Sequence, residues 1–235
     1  MKPVFEYTKG MRETELHYCP GCTHGIAHRL IMEVLEERGD LGNCIAVSPV
    51  GCSIVAHQYM NVDMMESPHG RAPAVASGIK RVHPDSPVFT YQGDGDLASI
   101  GTNEIIHAAE RGEKFCTFFI NNAIYGMTGG QYSPMTPIHS KATTAPYYTV
   151  EPSFNLLDLA KAAGATYVAR ATTYHVPVLV DVIAKGIAHK GFSIIEAVSA
   201  CPISFGRQNK MGGPAQMMAW QRDHGVMKAV WDRMD

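Results

Sequence analysis

The sequence predicts a three-layer α/β/α fold built on a mostly parallel sheet. Short β-branched and aromatic runs alternate along the chain with longer segments of helical period, which is the signature of βαβ units. Most of the short runs are apolar at successive positions, as strands covered by helices on both faces must be. Length agrees: at roughly 150 residues per domain, a chain of 235 residues makes one large domain with appended segments.

In chain order, the pattern predicts a helix at 24–37, a strand at 44–48, a helix at 73–82, a strand at 88–92 and a helix at 99–111. The last of these carries Ile105, Ile106 and Ala109 on one stripe and ends before Gly112. A strand at 115–120, a helix at 153–163, a strand at 166–170, a helix at 175–189 and a strand at 193–199 complete the series. The strands read as central ones. Two stretches break the alternation. Residues 129–152 hold four prolines, a glycine pair and many Ser and Thr; a loop this long inside a compact domain is read as covering a cofactor or touching a partner. The tail after Cys201 is rich in Gly and Pro until Pro214, then turns helical with Met217, Trp220, Met227 and Trp231 near one stripe, which reads as core packing.

Composition narrows the function classes. Twenty Lys and Arg against 22 Asp and Glu give a net charge of -2, and there is no basic stripe of the kind that neutralises phosphate backbones, so nucleic acid is not expected as a partner. No apolar run approaches the roughly 18 residues that span a bilayer, and Met1-Lys2-Pro3-Val4-Phe5-Glu6 lacks the apolar core of a signal peptide. A cytoplasmic protein without membrane contact is expected. Its six cysteines would face a reducing compartment, where a close Cys pair signals metal or redox chemistry more often than a disulfide. Only 18% of the residues are charged, which suits a surface partly covered by other subunits.

The strongest motif is Gly93-Asp94-Gly95-Asp96 at the end of one predicted strand, with Asn121-Asn122 at the end of the next. Parallel strands joined by one crossover helix bring their carboxyl ends together, where open α/β sheets bind ligands. Asp94 and Asn122 can then share a hard cation, and Mg²⁺ suits one or two protein oxygens completed by a bound phosphate. Gly93 and Gly95 would let the backbone approach a diphosphate, with the amino end of the helix near Ser99 offering free N–H groups. An Asp-Gly turn and a chance Asn pair is the ordinary alternative.

With this spacing the sequence resembles the thiamine diphosphate enzymes, and the fold implied is their diphosphate-binding domain. The segments Ser67-Pro68-His69-Gly70-Arg71-Ala72-Pro73 and Asn122-Ala123-Ile124-Tyr125-Gly126-Met127-Thr128-Gly129-Gly130-Gln131 are similar to the β subunits of the 2-oxoacid:ferredoxin oxidoreductases, over about Tyr18 to Phe205. The resemblance implies that Ile124 gives its carbonyl as a third protein ligand to Mg²⁺. It also implies that Ser53, His69, Gly95, Asp96 and Thr128 lie around the diphosphate and that Met127 wedges the bent thiamine. His69 as a packed loop residue and Met127 as filler stay open. His24, His57 and His107 have no motif around them and read as structural or exposed.

Cys19-Pro20-Gly21-Cys22, Cys52 and Cys201 add a second signal. Four thiolates can hold an iron-sulfur cluster, and since no compact ferredoxin spacing is present the fold would have to bring them together. A structural zinc site, a thioredoxin-like dithiol and inert buried thiols remain alternatives. The resemblance implies one 4Fe-4S cluster on these four. Cys44 and Cys116, in apolar strands, read as core.

The organisation implied is one thiamine diphosphate-binding domain over residues 1–235, with a cluster-binding segment 1–23 and an extension 202–235. In the resembling family the glutamate that generates the thiamine ylide lies on a separate pyrimidine-binding domain, so the catalytic carboxylate is expected on an α subunit, with γ and ferredoxin-like δ subunits as further partners. The activity implied is oxidative decarboxylation of a 2-oxoacid with coenzyme A, with electrons leaving through the cluster to ferredoxin. Ser53-Ile54-Val55-Ala56 and Thr128-Gly129-Gly130-Gln131 contain no Lys or Arg, and an unpaired buried carboxylate costs several kcal/mol. That favours 2-oxoisovalerate and other branched 2-oxoacids over 2-oxoglutarate, unless a partner supplies the cation. Competing readings are a non-oxidative thiamine decarboxylase or ligase, and a cysteine-ligated electron-transfer module without carbonyl chemistry.

Overall fold

The computed structural model describes residues 6–233. Six parallel strands form one sheet in the order β2-β1-β3-β4-β6-β5: β1 Ile45–Pro49, β2 Asp63–Ser67, β3 Val88–Gly93, β4 Cys116–Asn121, β5 Tyr167–Thr172 and β6 Ser193–Val198. Helix α1 His24–Arg38 precedes β1; α2 Ala72–Val82, α3 Thr102–Glu110, α4 Leu156–Ala162 and α5 Val176–Ala188 lie between later strands, and α6 Pro214–His224 and α7 Lys228–Trp231 form the tail. Among the described residues no helix is long and apolar enough to cross a membrane.

The period of two in the strands sorts their side chains into two cores. Phe89, Tyr91, Phe118, Ile120 and Ile195 pack under α1 and α5. Val88, Phe119 and Ile194, from intervening positions, pack under α2, α3 and α4. Both faces of β3, β4 and β6 are therefore covered, and truncating a fully buried ring such as Phe119 to Ala would cost about 3–5 kcal/mol. A third, smaller cluster of Ile124, Ala142, Ala200, Cys201, Phe205 and Met217 lies past the carboxyl ends of β4 and β6.

Four details depart from expectation. β2, Asp-Met-Met-Glu-Ser, lies at a sheet edge with a largely exposed face; it has neither β-branched residues nor an apolar run, so nothing in its composition announces a strand. β5 is the other edge strand and is only partly buried, not central. Helical backbone after β3 begins at Asp94 rather than near Ser99, and passes through a wide π turn, Asp96–Ile100, before α3. Such turns concentrate at functional sites, and a second one, Pro202–Gly206, directly follows Cys201. In the tail only Met217 of the proposed stripe is buried, whereas Trp220, Met227 and Trp231 are exposed, because α6 meets the body over one narrow face and α7 buries nothing.

Candidate functional site

In the strand order, β1 has β2 on one side and β3 on the other, so consecutive connections leave β1 in opposite directions. The carboxyl ends of β1 and β3 flank the resulting crevice, where open α/β sheets bind ligands. A cavity of about 360 Å³ opens there. It is lined by the loops after β1 (Gly51, Cys52, Ser53), β2 (His69), β3 (Gly93 to Asp96) and β4 (Asn122, Ile124 to Thr128).

At its floor three oxygens converge. The Asn122 side-chain oxygen site lies 3.0 Å from Asp94 Oδ1 and 2.8 Å from the Ile124 carbonyl oxygen. Octahedral bonds of about 2.0–2.1 Å place neighbouring ligand oxygens about 2.9 Å apart, so the spacing is that of a hard-cation site. Three facing acceptors repel one another unless a cation sits among them. Turning the amide over would convert both contacts into hydrogen bonds from Nδ2, and that is the arrangement favoured without a cation. The Ile124 N–H, 3.3 Å from Oδ1, favours oxygen in that place, and we read the donor set as fitting Mg²⁺. Ala123, between Asn122 and Ile124, has φ +64°, and this left-handed turn aims the Asn122 side chain and the Ile124 carbonyl at one point.

Asp94 is 1% exposed. Burial pushes its carboxyl up to about 7, against hydrogen bonds from the Ser133 hydroxyl and backbone N–H groups including those of Gly95 and Asn122. A bound cation would hold it ionised. The companion Asp96, also buried, faces away from the cation site. Its Oδ1 accepts from Gly70 N at 2.6 Å and meets His69 Nδ1 at 2.5 Å, and its Oδ2 accepts from Gln92 Nε2 at 2.6 Å. It fixes the His69 loop at the cavity rim. Gly93 has open space where a Cβ would point, but Gly95 does not: a Cβ there would stand 2.2 Å from the Tyr125 ring, whose hydroxyl donates to Gly95 O at 2.7 Å. The second glycine thus leaves room for the Tyr125 ring, and its backbone lines the cavity. Ser53 is buried, its hydroxyl donating to Pro49 O, while Thr128 and Met127 sit exposed at the rim.

The cysteine segments are stitched together on the other side of the same cavity. Thr23 Oγ1 is 2.6 Å from Ser199 Oγ and accepts from Ala200 N at 2.8 Å, joining the Cys19–Cys22 turn to the segment that carries Cys201. Tyr18 donates to the Cys52 carbonyl at 2.9 Å, joining that turn to the loop after β1. A Cβ on Gly126 would stand 3.3 Å from Cys52 Sγ and 3.6 Å from Cys201 Sγ, so only glycine passes between the two sulfurs unhindered. Burial pushes the Cys22 thiol up to about 12 and the Cys52 thiol up to about 11, partly offset by N–H groups of His24 and Met127 donating to the sulfurs. Burial thus opposes the thiolate form at Cys22 and Cys52, which a bound metal would stabilise. Among the described residues no three His, Cys, Asp or Glu side chains are grouped as one metal ion would require. Cys44 and Cys116 lie in the core.

Sequence reasoning missed Ser133, Tyr125 and His24 as parts of this site. His24 lines the cavity, buried, its Nδ1 2.6 Å from Tyr91 Oη; burial lowers its pKa to about 4 and keeps it neutral. Its place directly after Cys22-Thr23 was the available signal. His57 and His107 are surface residues facing Glu66 and Glu110.

Residues 49–197 match the model of the thiamine pyrophosphate enzyme, C-terminal TPP binding domain. The chain is 44% identical over 227 residues to the 2-oxoglutarate synthase subunit KorB of Methanocaldococcus jannaschii, covering 96% of this chain and 84% of that protein. It is 51% identical over 143 residues to the ketoisovalerate oxidoreductase subunit VorA of Methanothermobacter thermautotrophicus, covering 61% of this chain and 30% of that protein. Its fold superposes with a TM-score of 0.81, at 29% identity and covering 94% of this chain and 82% of the other, on a 2-oxoglutarate:ferredoxin oxidoreductase from Magnetococcus marinus solved with 2-oxoglutarate, coenzyme A and succinyl-CoA bound.

Proposed function

Since the chain belongs to the thiamine pyrophosphate enzymes, as a β subunit of a 2-oxoacid:ferredoxin oxidoreductase, we propose that it holds thiamine diphosphate through Mg²⁺ on Asp94, Asn122 and the Ile124 carbonyl. On this reading Cys19, Cys22, Cys52 and Cys201 hold one 4Fe-4S cluster, and an α subunit completes the active site. The observation that carries it is that ligands of both kinds face one cavity: Cys52 lines it together with Asp94, Asn122 and Ile124.

Thiamine diphosphate supplies carbanion chemistry at the substrate carbonyl carbon. The chain's own residues do the rest. Asp94, Asn122 and Ile124 would anchor the diphosphate end through the cation, while Ser53, Gly93, Gly95, His69, Asp96 and Thr128 would surround it, Asp96 also holding His69 in place. Met127 stands at the rim beside the thiamine. The segment from Ile124 to Met127 touches the cation site at one end and the Cys52 sulfur at the other, so the path between carbonyl chemistry and the cluster is a few residues long. Coenzyme A as acyl acceptor, ferredoxin as electron acceptor, and γ and ferredoxin-like δ subunits complete the proposal. Residues 1–235 form one thiamine diphosphate-binding domain on this reading. The cluster segment 1–23 and the extension 202–235 are its additions, residues 1–5 and 234–235 lying outside the described ones. Pro214 of the extension is seated against Gly21, which places the extension over the Cys19–Cys22 turn.

For the substrate, the names of the relatives shift the balance. KorB matches nearly the whole chain and VorA a part of it, which favours 2-oxoglutarate over the branched 2-oxoacids that the sequence alone suggests. The branched reading keeps one observation: among the described residues lining the cavity there is no Lys or Arg. On the 2-oxoglutarate reading the cation for the second carboxylate comes from the α subunit. Anaerobic absorption spectra with iron, zinc, magnesium and thiamine analysis of the assembled complex test the cofactors; stoichiometric zinc without iron would refute the cluster. Comparing kcat/KM for 2-oxoglutarate and 2-oxoisovalerate decides the substrate, and preference for 2-oxoisovalerate would overturn the present choice.

A further inference from the structure

We propose that Ser133 and Thr136, two hydroxyls of the long loop after β4, are positioning residues that hold the three-oxygen cation site in shape. The proposal rests on the cation reading above. The three oxygens come from two strand-end segments, Asp94 after β3 and Asn122 to Ile124 after β4, and each is gripped from behind by one hydroxyl. Ser133 Oγ donates to Asp94 Oδ2, leaving Oδ1 to face Asn122. Thr136 Oγ1 donates to the Ala123 carbonyl at 2.6 Å, on the residue whose left-handed backbone aims the other two ligands.

The two grips are joined to each other. Thr136 Oγ1 accepts from Ser133 N at 2.9 Å, and Ser133 Oγ accepts from Met135 N at 3.2 Å. Each hydroxyl has a single proton, already committed to the cation site, so the 3.4 Å between the two oxygens carries none. Both side chains are almost fully buried, and neither lines the cavity. They would act on the metal only indirectly, Ser133 through Asp94 and Thr136 through the turn at Ala123. The far side of the Ala123 turn is held as firmly: Ala123 N donates to Asn121 Oδ1 at 3.1 Å, and Asn121 Nδ2 donates to the buried Glu196 at 2.6 Å. A left-handed backbone is unfavourable for a residue that carries a Cβ. Ala123 keeps that conformation because Thr136 fixes its carbonyl and Asn121 its N–H.

The test compares Ser133→Ala, Thr136→Val and Thr136→Ser in the complete α/β complex stripped of cofactor. Mn²⁺ is the probe, titrated by electron paramagnetic resonance in the presence of thiamine diphosphate, and thermal midpoints are taken in EDTA. Losing an outer partner of a metal ligand costs about 10–100-fold in metal affinity, and that weakening is expected for Ser133→Ala; Thr136→Val, which releases the turn between two of the ligands, is expected to weaken Mn²⁺ binding as well. Thr136→Ser keeps the hydroxyl and is expected to bind as the wild type does. A packing role alone would lower the EDTA midpoint and leave Mn²⁺ affinity unchanged; that result, or a Thr136→Ser as weak as Thr136→Val, overturns the proposal. Failure of the wild-type complex itself to bind Mn²⁺ with thiamine diphosphate would instead refute the underlying cation reading.

Discussion

Replacing Asp94 by Asn should stabilise the cofactor-free protein while disabling its cation site. Burial raises the Asp94 carboxyl from its ordinary 3.8 to about 7, and about three units at 1.36 kcal/mol each make about 4 kcal/mol that the ionised group costs the folded state. The sign follows from which state holds the proton. Below pH 3.8 both folded and unfolded chains are protonated and there is no cost. As pH rises the unfolded chain releases its proton while the folded one keeps it, so the cost grows until about 7 and then stays constant. Asn removes that charge but one hydrogen bond is lost or weakened at Ser133, at about 1 kcal/mol, leaving a net gain of about 1–3 kcal/mol at pH about 8. Thermal midpoints of the assembled complex in EDTA across this range measure it. With Mg²⁺ and thiamine diphosphate added this advantage should be largely cancelled, because a ligand at a hundredfold its Kd stabilises only the form that binds it, by about 2.7 kcal/mol. An Asn variant that melts below the wild type in EDTA at high pH, or an offset that does not change with pH, would refute the reasoning.

The same carboxyl makes Mg²⁺ affinity fall about tenfold per pH unit below about 7, which titration at two pH values checks. Gly95→Ala drives a Cβ to 2.2 Å from the Tyr125 ring and should cost about 1–3 kcal/mol together with thiamine diphosphate affinity. Tyr125→Phe, losing only the hydrogen bond to Gly95 O, should cost about 1 kcal/mol, and melting curves separate the two. Cys201→Ser should remove iron and the visible absorption while leaving the fold largely intact; unchanged iron content would contradict the ligand assignment. The isolated chain should turn over no 2-oxoacid until the α subunit is added, and activity of rigorously purified chain alone would show that the ylide-generating carboxylate is not on a partner.

The part of this protein legible in its sequence is the part written in local pattern. Apolar runs of strand length set β1, β3, β4 and β6 within a residue or two, because strands covered on both faces tolerate little else. The spacing of Gly93-Asp94-Gly95-Asp96 and Asn121-Asn122 placed both segments at one cavity, because one crossover helix between adjacent parallel strands leaves only one place for their ends to meet. β2 escaped because an exposed edge strand needs no apolar pattern, and the tail stripe misled because Met and Trp at helical spacing look the same whether buried or bare. How these residues are held was decided by long-range packing alone. Thr23 reaches Ser199 and Ala200, Ser133 reaches Asp94, and Glu196 reaches Asn121 across separations of 176, 39 and 75 residues. No local propensity encodes such pairs; they exist only because the sheet order brings the carboxyl ends of β1, β3, β4 and β6 to one edge, where each buried donor must find an acceptor.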